Sequence, residues 1–221
     1  PIIGFCQWDK YFENKSLRVD FSHSGRVGIE YCVINSYKML PFFSGSKTFL
    51  IDTTNNGAYK IAILDKQDNQ IIYSKGYSSL FNEWLSTKDA THMCGNFEET
   101  LILPFPKNDA DLVFYSRDSL NNWEEVTRIN IDRTLIEEVQ NEVKTKIIPL
   151  NTVNKLMEKR LDVVIIPVGY TKQEKDKMIK DLNTFNSYFF SISPYSEAKD
   201  KINIVGIEDY SSYSGIPGLK P

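Results

Sequence analysis

The sequence predicts a mostly β chain with an α/β segment: an antiparallel β-sandwich followed by an incomplete β–α–β unit. Three observations carry this expectation. Short runs rich in β-branched and aromatic residues, separated by turn residues, recur through the first 132 positions. A continuous apolar run, Val163-Val164-Ile165-Ile166, then leads into a capped amphipathic helix and a second strand. Two strands and one helix are too few to enclose a core of their own.

The sandwich is expected over residues 1–132. Leu17-Arg18-Val19-Asp20-Phe21 alternates apolar and polar, the period of a half-buried strand, and Ser22-His23-Ser24-Gly25 after it reads as a turn. Further strands are expected at 59–64, 70–73, 100–103, 112–115 and 125–131. Asn55-Asn56-Gly57, Asp68-Asn69, Pro104-Phe105-Pro106 and Asn121-Asn122 separate them as turn chemistry. Residues 79–85 are compatible with a short helix or an edge crossing.

Residues 133–160 read as a charged linker packing partly on both neighbours, with Glu137, Glu138, Glu142, Lys144, Lys146, Glu158, Lys159 and Arg160 setting its composition. Within it, 134–143 fits a short strand or helix, and Asn151 fits the cap of a helical turn reaching Lys159. The α/β segment is expected over 161–221, with Val163–Ile166 as a strand buried on both faces. Thr171 and Glu174 form T-x-x-E, a capping box. Met178, Leu182, Phe185 and Phe189 then make one apolar helical stripe, Ser193-Pro194 ends the helix, and 202–207 returns as a strand.

Composition excludes several function classes. A formal net charge of −3 does not favour a nucleic-acid partner. No apolar run reaches the ~20 residues of a membrane span. The chain begins at Pro1, which reads as a removed leader or an engineered start. Three cysteines, Cys6, Cys32 and Cys94, lie far apart with no C-x-x-C pair, so they read as buried small hydrophobes rather than zinc ligands.

The sequence assigns no catalytic, cofactor-binding or metal-ligating residue within these 221 positions. His23 and His92 are the only histidines, and neither belongs to an H-E-x-x-H motif. His92-Met93-Cys94 reads as a loop histidine near a buried thiol, and the hydroxyls beside His23 as turn chemistry. G-x-S-x-G and the glycine-rich phosphate loops are absent. Glu208, Asp209 and Tyr170 fall just past strand ends, where open α/β sheets place ligand sites, but as loop residues they do not by themselves define one.

The stretch from Leu161 through Pro167-Val168-Gly169-Tyr170-Thr171 resembles the start of the peptidase domain of the M64 family, the IgA-peptidase-like zinc metallopeptidases. The resemblance continues through Phe189-Phe190-Ser191-Ile192-Ser193-Pro194-Tyr195, the strand at 202–207 and the loop at 215–218. Upstream, residues 11–21 with His23-Ser24-Gly25, then Ser116-Arg117-Asp118 and Trp123, are similar to the family's amino-terminal β domain. Relatives commonly carry an acidic residue before Gly-Tyr-Thr, where this chain has Val168.

The resemblance implies the amino-terminal, non-catalytic portion of an exported bacterial zinc metallopeptidase, secreted, periplasmic or held at the cell surface. Its zinc and H-E-x-x-H motif are expected beyond residue 221, so this chain is expected to need no cofactor itself. The implied partners are the rest of its own catalytic domain and a protein or peptide substrate of the parent, with no nucleic acid and no membrane span. Two alternatives remain open: a cell-surface β-sandwich binding module for protein or glycan without enzymatic activity, and the first half of a different α/β hydrolase.

Overall fold

A computed structural model of the chain describes residues 7–139, 145–151 and 160–215. Cys6, the charged residues Glu142, Lys144, Glu158 and Lys159, the helical turn expected at 152–159 and the end of the 215–218 loop lie outside the described residues. The chain divides into two compact units, residues 1–141 and 142–221.

The first unit opens with helix α1 (Gln7–Tyr11), then β1 (Phe12–Arg26), β2 (Ile29–Leu40), β3 (Tyr59–Asp65) and β4 (Ile71–Tyr77). Helix α2 (Leu80–Leu85) precedes β5 (Gly95–Pro106), β6 (Ala110–Arg117), β7 (Trp123–Asn130) and the short β8 (Ile136–Glu138). They form two four-stranded sheets, ordered β5-β1-β2-β8 and β4-β3-β6-β7. All pairings are antiparallel except β2 with β8. Leu17, Val19, Phe21 and Leu103 from one sheet and Ile61, Ile63, Leu112 and Phe114 from the other build one core. Each of these eight side chains is essentially inaccessible to solvent, and their removal from water is the main force closing the sandwich.

Local chemistry explains the connections. Asn55, Asn69 and Asn121 take positive φ, as the turn signals require. Arg117 locks two of these turns, donating to the carbonyls of Asn55, Gly57 and Asn121 while its guanidinium lies 3.7 Å from the Trp123 ring centre. Residues 79–85 resolve as helix, with the Ser79 hydroxyl accepting from the Phe81 N–H at the amino end.

Two expected turns fail here for one reason, Ser22–Gly25 and Pro104-Phe105-Pro106, the second lying within β5 where it pairs with the start of β1. Ser22-His23-Ser24-Gly25 is not a turn: β1 runs through it, and the chain reverses at Val27-Gly28. The partner strand β2, which local pattern does not announce, pairs with β1 from Arg26 back to Ser16. Strand pairing on both sides of β1 and an inward-facing His23 override the local turn preference of Ser and Gly. Cys94 is exposed rather than buried, in the loop before β5, whereas Cys32 is buried.

In the second unit, β9 (Lys146–Pro149), β10 (Leu161–Ile165), helix α3 (Lys175–Phe189) and β11 (Ile202–Glu208) form a sheet ordered β10-β11-β9. β10 and β11 are parallel with α3 as their crossover, and β9 adds antiparallel to β11. Met178 and Leu182 of α3 are buried, and Leu182 sits where a Cβ on Gly206 would lie 2.8 Å away, so Ile202, Ile204 and Gly206 face the helix. The stripe continues differently from expectation: Phe185 is half exposed and stacks on Phe189, which stacks on Tyr195. The helical turn expected to be capped by Asn151 lies outside the described residues. The Asn151 amide bridges the backbone of β11, donating to the Ile202 carbonyl and accepting from the Ile204 N–H.

The expectation that Val163–Ile166 is buried on both faces is also corrected. Val164 is 53% exposed and Ile166 63% exposed. β10 is an edge strand of this sheet, and α3 covers only the face that carries Ile202, Ile204 and Gly206. Register puts Val164 beside Val205, Val205 beside Pro149, and Ile207 beside Ile147 on the opposite face. Ile147 there is 54% exposed.

Candidate functional site

The carboxyl ends of β10 and β11 form one candidate site, because open parallel sheets bind ligands there. The two loops that leave these strands are laced together. Gly215 N–H donates to the Gly169 carbonyl at 2.8 Å, Ser211 N–H to the Tyr170 carbonyl at 2.8 Å, and Gly169 N–H to the Ser211 hydroxyl at 2.9 Å. Below this clasp, the Glu174 carboxylate accepts from the N–H and hydroxyl of Thr171, completing the predicted capping box, and its other oxygen accepts from the Ser214 hydroxyl.

The candidate residues at these strand ends are already engaged. Glu208 accepts from Lys175 and from the Tyr210 hydroxyl, each at 2.7 Å, with Lys146 at 3.1 Å. Lys175, Tyr210 and Lys146 hold its carboxyl down to about 2. Tyr170 donates to Asp181 at 2.9 Å, with Lys177 over its ring. Asp209 accepts from the Tyr210 N–H beside it. The Glu208 and Tyr170 contacts tie these loops and α3 to the strand ends, whereas the Asp209 contact is local to its own loop. Val168, where relatives place an acid, is exposed.

The second candidate site is inside the sandwich, and no local motif marks it. Alternation points Phe21 and His23 of β1 inward. Register sets His23 opposite Cys32 of β2 and opposite Phe97 of β5, and Phe21 opposite Glu99 of β5. Glu30 shares the face of Cys32 two residues away. His23 is fully buried, with its Nε2 2.9 Å from Glu30 Oε1 and its Nδ1 3.4 Å from Glu99 Oε1. Glu99 is in turn held by the Ser79 hydroxyl. Phe81 stacks on the imidazole at 4.2 Å and Tyr59 meets it edge-on at 4.8 Å.

Burial alone lowers the His23 pKa, but Cys32, Glu30 and Glu99 outweigh it and push it up to about 11. Burial pushes the Cys32 thiol up, with His23 opposing. An open groove of about 650 Å³, lined in part by Tyr77, Ser79, Phe97, Glu99 and Leu101, runs along the outer side of Glu99. The other histidine, His92, is exposed, with Nδ1 3.3 Å from the Thr91 hydroxyl, and joins no cluster with Cys94 among the described residues.

Residues 7–128 match the family model described as the peptidase M64 N-terminus, which spans more than half the chain. The chain belongs to the M64 peptidase family. Residues 149–221 of this M64 chain match the model described as IgA Peptidase M64. The sandwich is thus the M64 amino-terminal domain, and the laced β10 and β11 loops lie in the stretch similar to the M64 peptidase domain. No curated protein matches the chain. Among the described residues no helix is long and apolar enough to cross a membrane.

Proposed function

We propose that this M64 chain forms the amino-terminal, non-catalytic portion of an exported bacterial zinc metallopeptidase, with peptide-bond hydrolysis performed by residues beyond 221. The observation that carries this reading is the sheet of the second unit. One face packs on α3 through Ile202, Ile204 and Gly206. The other carries Val164, Val205, Ile207 and Ile147, with Val164 and Ile147 more than half exposed. A parallel sheet in an α/β enzyme is covered on both faces, so this face awaits further protein from the same domain.

The residues present do not fit a catalytic zinc of the H-E-x-x-H kind. The two histidines stand on β1 and in an exposed loop, not one helical turn apart on a helix. No catalytic step is therefore assigned to a side chain of this chain. The sandwich and the first β–α–β unit would serve to support the catalytic centre and to present substrate.

The test compares the 221-residue chain with a longer product of the same reading frame. The expected result is an H-E-x-x-H motif downstream, chelator-sensitive peptide hydrolysis by the longer protein, and none by the shorter. Hydrolysis by the 221-residue chain itself, or a downstream G-x-S-x-G in place of the zinc motif, overturns the proposal.

A further inference from the structure

We propose that His23, Glu30 and Cys32 form a binding site for one zinc ion inside the amino-terminal sandwich, with Glu99 orienting His23 from the outer shell. The proposal does not depend on the peptidase reading and concerns a site separate from any catalytic zinc.

The donor set selects the metal class. One imidazole nitrogen, one thiolate and one carboxylate oxygen are a borderline mixture that suits Zn²⁺, whereas Ca²⁺ and Mg²⁺ demand oxygen alone. One atom from each of the three residues lies within 4.8 Å of the others. Around tetrahedral zinc, donor atoms stand about 3.3–3.8 Å apart, given bond lengths of about 2.0–2.3 Å. The 2.9 Å gap between His23 Nε2 and Glu30 Oε1 is slightly tighter than this and the widest gap somewhat looser. Glu30 is the adjustable member, being 20% exposed on a flexible side chain.

The surroundings match what a metal-bound histidine needs. Such a histidine donates its second ring N–H to a carboxylate that fixes its tautomer. Here Glu99 faces the other ring nitrogen, Nδ1, and is itself anchored by Ser79. At 3.4 Å that contact is not a formed hydrogen bond, so Nδ1 of the fully buried His23 has no completed partner. Phe81 and Tyr59 keep the ring dry. Zinc would take the place of the Cys32 thiol proton and of any proton on His23 Nε2, so binding releases protons.

The experiment uses the intact 221-residue chain. Metal-free protein is titrated with Zn²⁺ by calorimetry and with Co²⁺ by absorption. The expected result is one equivalent bound and a near-ultraviolet thiolate-to-cobalt charge-transfer band. Cys32→Ser abolishes the band while Cys94→Ser keeps it. Glu99→Gln weakens binding about 10–100-fold without removing the band, as an outer-shell change does. His23→Gln is the variant most exposed to misfolding, so Cys32→Ser and Glu99→Gln, checked for native far-ultraviolet circular dichroism, carry the decision. No stoichiometric binding, or an undiminished band in Cys32→Ser, overturns the site.

Discussion

Gly169 and Gly215 touch backbone to backbone: a Cβ placed on Gly169 would lie 2.7 Å from the Gly215 carbonyl oxygen. Gly169 also holds φ at +82°, a region that costs other residues about 1–2 kcal/mol. Steric contact and torsion therefore act together at the clasp between the loops that follow β10 and β11.

Gly169→Ala is expected to open that clasp and destabilise the second unit by about 2 kcal/mol or more. Limited proteolysis checks this: cleavage within residues 166–175 and 209–215 should accelerate in the variant while the sandwich stays intact. Equal resistance in variant and parent would show that the loops do not depend on this contact.

Met178 is fully buried on α3. Met178→Ala leaves a cavity under the helix and should cost about 2–5 kcal/mol. Hydrogen exchange would read it as faster amide exchange along α3 and β11, with β1 and β3 unchanged.

Glu208 gives a pH window. Its folded pKa is lowered from 4.5 to about 2, first by Lys175, then by Tyr210 and Lys146. The carboxylate therefore stabilises the fold above its ordinary pKa, and that contribution fades as pH falls from about 4.5 towards 2. Glu208→Gln should be less stable than the parent at neutral pH, and the difference should shrink through that acidic window. Measuring the midpoint of unfolding for both proteins across pH checks the sign.

The apolar face bearing Val164 and Ile147 predicts self-association of the isolated chain, because exposed apolar patches drive pairing. Light scattering should show mass rising with concentration, and Val164→Lys with Ile147→Lys should reduce it. A parent protein that stays monomeric at high concentration would count against the exposed face.

Much of the fold was legible in short windows. Alternation around Leu17 and Phe21, the turns at Asn55, Asn69 and Asn121, and the Thr171–Glu174 box all became the structures their local chemistry favours. The stripe from Met178 to Leu182 likewise found its sheet. The candidate site in the sandwich was not legible. Ser22-His23-Ser24-Gly25 has turn composition, and Glu30 and Cys32 lie in a strand whose pattern is mixed. One signal was available in principle: Glu30 and Cys32 two apart, and an inward His23 on the strand before them.

The sequence alone determined the strand around Leu17, the turns at Asn55, Asn69 and Asn121 and the capped helix, since backbone torsion preferences and side-chain alternation act over a few residues. Only the tertiary structure decided that His23 meets Glu30, Cys32 and Glu99, and that Val164 stays exposed. His23 and Glu99 are far apart along the chain, and pairing across such a distance is set by register and burial of the whole sheet.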